Sequence, residues 1–111
     1  MDQIVVIAKL TAREGMRPQL VDALWNLVES SAAEPGTLIY LLHADKADAS
    51  VLWIYEVFAN DAARVVHRDS DALKAAYPAM EPYLARKIEL FFTTPLGGKG
   101  LTGSGQDTRR N

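Results

Sequence analysis

The 111-residue chain contains no cysteine. Disulfides, thiolate metal sites and cysteine nucleophiles are thereby excluded, and a reducing compartment suits the composition. Charge of one sign is not in excess either: twelve Lys and Arg against fourteen Asp and Glu leave a net charge of −2. Such a mixed, slightly acidic surface carries no electrostatic footprint for nucleic acid or an anionic membrane. No apolar run approaches the roughly 20 residues of a membrane span. Met1-Asp2-Gln3 leads straight into an apolar segment, without a basic leader or a small-residue cleavage site. A cytoplasmic protein is expected, with no nucleic-acid or membrane partner. Phosphate and nucleotide signatures are missing too. Gly97-Gly98-Lys99-Gly100 lacks the spacing of a phosphate loop, and no glycine fingerprint for a dinucleotide sits between a strand and a helix. No G-x-S-x-G elbow occurs. His43 and His67, 24 positions apart, make no recognisable metal-ligand spacing. The chain is therefore expected to work without a metal or a tightly held cofactor.

Apolar residues make up 49% of the chain and fall in blocks up to about position 96, enough for one core but not for two domains. Ile4 to Leu10 is short and β-branched, which predicts a strand. Pro18 stands where a first helical turn tolerates proline, and Leu20, Leu24, Leu27 and Val28 then repeat as one helical stripe. Glu34-Pro35-Gly36 breaks that helix. Thr37 to His43 and Val51 to Phe58 read as strands joined by the polar loop Asp45 to Ser50. Asn60 or Asp61 can cap a short helix to about His67, and Asp69-Ser70-Asp71 a second piece to Tyr77. Pro78 and Pro82 bracket an irregular stretch before a last strand, Arg86 to Phe92. The order β-α-β-β-α-β predicts an α+β, ferredoxin-like fold with an antiparallel sheet over residues 1–96. From Gly97 the composition changes: five of the seven glycines and a single large apolar residue, Leu101, predict a flexible tail over 97–111.

Side chains alternate faces along a strand. In the third strand Val51, Trp53, Tyr55 and Val57 share one face, and Leu52, Ile54, Glu56 and Phe58 the other. The second strand divides into Leu38, Tyr40, Leu42 and Thr37, Ile39, Leu41. In the first, Ile4, Val6, Ala8 and Leu10 oppose Val5 and Ile7. Both faces are apolar, yet two helical segments can cover only one. The uncovered face would exceed the few hundred Å² that soluble monomers usually show, so a homodimer with sheets packed face to face is expected.

Three stretches, IVVIAKLTAREGM, EPGTLIYLLH and VLWIYEVFANDAARVVHRDSDALKA, stand in an order and spacing that resembles the antibiotic biosynthesis monooxygenase family over about residues 3 to 96. The resemblance implies a dimeric α+β barrel. It also implies one of several chemistries: cofactor-free oxygenation of quinols and anthrones, haem degradation or isomerisation. Haem turnover is not expected. The haem-degrading branch places Asn, Trp and His where this chain has Ala8, His67 and Tyr77.

His67 is the foremost candidate, because imidazole titrates nearest neutrality and suits proton abstraction from a phenol. It also stands where the family places a cavity-lining histidine. The alternative is a histidine favoured by the dipole at a helix C-terminus. Glu56 interrupts an apolar strand and needs a partner, whether a basic residue across the dimer, His67 or a substrate. Trp53, Tyr40, Tyr55, Tyr77 and Phe92 are each readable as core or interface, and together as the lining of an aromatic cavity. His43 reads as a strand-end residue near solvent, and Trp25 as packing. The expected activity is cofactor-independent oxidation of a hydroquinone or anthrone by molecular oxygen. His67 is the base, Glu56 its support, and Trp53, Tyr77, Tyr40 and Phe92 bind the substrate. An isomerase or cyclase using the same pocket, and a non-catalytic dimeric module holding a small ligand, are the alternatives.

Overall fold

β-Branched and aromatic residues fill four strands in the computed structural model, which describes residues 2–100. These are β1 (Ile4–Thr11), β2 (Thr37–Ala44), β3 (Val51–Phe58) and β4 (Glu89–Thr93). Three α-helices join them: α1 (Arg17–Ser30) between β1 and β2, then α2 (Asp61–Arg68) and α3 (Asp71–Met80) between β3 and β4. All strand pairs are antiparallel, in the order β2-β3-β1-β4. This is the expected ferredoxin-like arrangement, with its second helical layer broken in two. Leu101 and the rest of the glycine-rich segment from 101 lie outside the described residues. No helix among the described residues is long and apolar enough to cross a membrane.

The stripe on α1 does what its spacing requires. Leu20, Leu24 and Leu27 are buried against Leu10 and Leu52 of the sheet and Met80 of α3. Full burial of a leucine side chain is worth about 1.5–3 kcal/mol, so these three anchor the helical layer. Val28 is only partly buried, and Trp25 is half exposed rather than packed. The short helices are set by their caps. Asn60 Oδ1 accepts from the Ala63 N–H at 2.9 Å, and Ser70 Oγ accepts from the Leu73 N–H at 3.2 Å. At the opposite end of the sheet, Arg17 Nη1 donates to the carbonyls of Asp45, Asp48 and Val51 at 3.1–3.3 Å, tying the β2–β3 turn to the start of α1.

Three local expectations are corrected. Helix α3 does not stop at Tyr77 but passes through Pro78 to Met80. Pro78 forgoes its own bond to the Lys74 carbonyl, and buried Ala76 and Met80 hold the segment to the core. The last strand begins at Glu89, not Arg86. Ala12 bridges Leu84 while Lys9 pairs with Glu89, so five steps on the later strand answer three on β1, and the chain bends away in between. A register shift between Thr37 and Ile39 puts Thr37 opposite Phe58, which breaks the parity assumed at the start of β2.

Register assigns the two faces. Val6, Glu56, Tyr40 and Phe92 lie in one row across the sheet, as do Ala8, Ile54, Leu42 and Leu90, and the helices cover this side. The opposite face carries Ile7, Ile39, Leu41, Trp53, Tyr55 and Phe91, with Leu41 52% exposed. It is less uniformly apolar than the parity argument supposes. Lys9, His43 and Glu89 also stand on it, and Lys9 Nζ sits 5.5 Å from the centre of the Trp53 ring.

Candidate active site

Between the sheet and the helical layer lies a cavity of about 260 Å³. Leu24, Ile54, Phe58, Met80 and Leu90 give it apolar walls. One row of the sheet supplies its polar floor, because Tyr40 and Glu56 pair directly across β2 and β3. The last turn of α2 places His67 above them.

His67 is 5% exposed, too deep for a histidine held only by a helix dipole. Its ring lies against Tyr40 and Phe58, with centroids 5.0 and 5.3 Å away. Nδ1 is 2.9 Å from Glu34 Oε1, and the same oxygen accepts from Thr37 Oγ1 at 2.9 Å. A carboxylate oxygen accepting two hydrogen bonds requires an imidazole proton on Nδ1, and in the neutral ring Nε2 then carries the free lone pair. On that side Glu56 Oε1 stands 3.8 Å away, beyond hydrogen-bond length. The cluster is thus carboxylate–imidazole–carboxyl, with one acid bonded to the ring and the other across a gap.

The two acids differ in environment. Burial, and then the charge on Glu34, pushes the Glu56 carboxyl up to about 8. At neutral pH Glu56 is therefore largely a neutral acid. Burial, followed by the charges on Glu56 and Glu34, raises Tyr40 well above the ordinary phenol range, so it remains protonated.

Glu34 reaches His67 because of the turn that ends α1. Thr37 N–H bonds the Glu34 carbonyl at 3.1 Å, and Ala59 N–H bonds the Gly36 carbonyl at 2.9 Å. A Cβ at Gly36 would overlap the Cβ of Ala63. Glycine at this position is what lets α2 lie close enough to the turn for Glu34 and His67 to meet.

Five of the six expected site residues line this cavity: His67, Glu56, Tyr40, Tyr77 and Phe92. Tyr77 is half exposed, as a residue at a mouth would be. Trp53 does not line it. It projects from the opposite face of the sheet, where Nε1 donates to Asp45 Oδ1 at 2.8 Å. The cause is strand parity, since Trp53 is an odd number of residues from Glu56 and faces the other way. Tyr55 shares the far face and His43 is exposed there. Among the described residues no Lys or Arg pairs with Glu56, and His67 Nε2 is the one basic nitrogen within 4 Å of it. The reading of the sequence missed Glu34, which it took only as part of a helix breaker, and Arg64 and Arg68 of α2, which also line the cavity.

A four-stranded antiparallel sheet with helices on one side, enclosing a buried acid–imidazole cluster in an otherwise apolar cavity, defines a ferredoxin-like domain with a cavity between its two layers. The chain belongs to the antibiotic biosynthesis monooxygenase family, whose sequence profile matches residues 3–79. A structure from Caulobacter crescentus described under the same family name is 28% identical, with a TM-score of 0.79 over 83% of this chain and 88% of that one. Another, from Pseudomonas aeruginosa, is 28% identical with a TM-score of 0.80, covering 87% of this chain and 97% of its own. A Mycobacterium tuberculosis structure, 24% identical, shares the fold with a TM-score of 0.81, covering 88% and 99%. No curated protein matches the chain.

Proposed function

We propose that this protein is a cofactor-independent monooxygenase that oxidises a small hydroquinone or anthrone with molecular oxygen, acting in the cytoplasm as a homodimer. The observation that carries the reading is the hydrogen bond between Glu34 and His67 Nδ1, which leaves Nε2 free in an apolar cavity. A base so oriented takes a phenolic proton, and Glu34 steadies the imidazolium that forms. The electron-rich anion passes one electron to oxygen, and recombination of the two radicals forms a C–O bond. The peroxide then collapses with loss of water. For a hydroquinone the balance is one substrate and one O2 to one hydroxyquinone and one water. Neutral Glu56 can hydrogen-bond a substrate oxygen, and the dry walls favour charge transfer over side reactions. The apolar open face of the sheet, with Leu41 and Phe91 exposed, supports pairing with a second copy.

The test is oxygen uptake with a panel of hydroquinones and anthrones, with chelator present and no flavin added. His67→Ala should lose on the order of 10²–10⁴ in rate. Raising the pH should restore part of that loss, because spontaneous ionisation replaces the base. Wild-type rates in the variant would reduce His67 to packing. No uptake by the wild type on any substrate would favour an isomerase or a binding module.

A further inference from the structure

We propose that the substrate is a single-ring aromatic acid, a dihydroxylated ring bearing a carboxylate, and that Arg64, assisted by Arg68, binds that carboxylate. This rests on the reading of the cavity as a phenol site given above.

Helix α2 turns Arg64, His67 and Arg68 toward the same cavity, as residues three and four apart must be. Two guanidinium groups are unusual in so apolar a lining, and the ordinary explanation for them is incomplete. Arg64 binds Asp61 Oδ1 through Nε alone, at 2.8 Å. Among the described residues no acceptor takes its two Nη groups. Its side chain is only 23% exposed, and its Cζ sits 5.9 Å from the centre of the Phe92 ring. A guanidinium partly withdrawn from water, with its Nη fork unused, matches a planar carboxylate through two parallel hydrogen bonds. Arg68 engages Asp69 through Nε and Nη2 and is mostly exposed, so it steers an anion more than it anchors one.

The rest of the cavity fixes the orientation. The carboxylate of Glu34 stands behind His67, so an anion is repelled from the base end and drawn to Arg64. Arg64 lies over β4, while His67 lies against Phe58 of β3 and Tyr40 of β2, with β1 in between. Two strand spacings, about 10 Å, therefore separate the ends. One ring with a carboxylate on one side and a hydroxyl on the other spans that gap through hydrogen bonds at each end. The volume of about 260 Å³ agrees, falling below the roughly 300–1,000 Å³ of sites for larger ligands.

The experiment is calorimetric titration of the full chain under argon with 2,5-dihydroxybenzoate, its methyl ester and hydroquinone. The acid should bind about tenfold or more tighter than the ester, as a charge-assisted pair provides, and the gap should narrow as salt is added. Arg64→Gln should bring the acid-to-ester ratio close to one, and Arg64→Lys should retain part of it. An acid that binds no tighter than its ester, that does not bind at millimolar concentration, or whose advantage survives Arg64→Gln overturns the proposal. Should Arg64→Gln fail to fold, the wild-type ratio and its salt dependence decide. Oxygen is excluded, so acid binding without later oxygen uptake refutes the oxygenase and leaves this inference standing.

Discussion

Replacing Glu56 with Gln should flatten the dependence of stability on pH, in a direction that the buried carboxyl dictates. Burial and the neighbouring charge on Glu34 raise the folded-state value to about 8, against an ordinary value of 4.5. Between those two values the folded protein keeps a proton that the unfolded chain has released. The stability linked to the neutral acid is therefore complete below about 4.5 and is lost as the pH rises through about 8. One proton is worth about 1.4 kcal/mol per pH unit, so the whole window amounts to about 5 kcal/mol. Against a domain stability of about 5–15 kcal/mol this is large enough to measure. Gln has the shape of the neutral acid and cannot ionise, so Glu56→Gln removes this contribution. The assay is urea unfolding of both proteins at one fixed concentration, at pH values spaced between about 5 and about 8. The wild type should lose stability with rising pH more steeply than the variant. At the alkaline end Glu56→Gln should be at least as stable as the wild type. Parallel curves would mean that Glu56 is ionised in the fold, and its assignment as a hydrogen-bond donor to substrate would fall with them.

Other outcomes follow from the same geometry. Glu34→Gln should lower kcat about tenfold or more with little change in KM, and Glu34→Asp should recover part of it. Nitrogen NMR of His67 should show the Nδ1–H tautomer depleted in Glu34→Gln, and an unchanged tautomer would show that Glu34 does not orient the ring. Gly36→Ala should cost about 1–3 kcal/mol in urea unfolding through its overlap with Ala63, and adding Ala63→Gly should restore most of it. Sedimentation at micromolar concentration should give a dimer for the wild type. Leu41→Lys, on the open face, should give half that mass with native circular dichroism, and a wild-type monomer would remove the case for face-to-face pairing.

The strands and the α1 stripe were legible because period-two and helical patterns are strong in those segments. Val51–Phe58 is bounded as its residues suggest, and the caps at Asn60 and Ser70 are those the sequence offers. Pro78 misled because burial of Met80 outweighed a local breaker. Strand β4 was misplaced because its start depends on a bend beside β1, which no local pattern records. In the site, the placement of Trp53 was readable from the outset, since strand parity sets it opposite Glu56. Glu34 was not. It stands 33 positions from His67, and only the fold brings a residue of the α1–β2 turn under the last turn of α2. The one hint was an acid beside Pro35-Gly36 with Thr37 three residues on. Arg64 had a plainer signal, since it precedes His67 by one helical turn.

The clamp formed by Arg17 has a consequence for how motion is distributed along the sheet. Its guanidinium holds three carbonyls around the β2–β3 turn, and Asp45 and Asp48 accept from the amides of Ala47, Asp48 and Ser50 in that same turn. A surface hairpin is ordinarily among the first parts of a domain to open, yet here its amides should exchange slowly with deuterium. Val51 begins β3 beside this turn and Glu56 lies five residues along it, about 16 Å away. The sheet is thus fastened at the end of the β2–β3 turn. Strand register, held from this end, keeps Glu56 in the same row as Tyr40 and Val6.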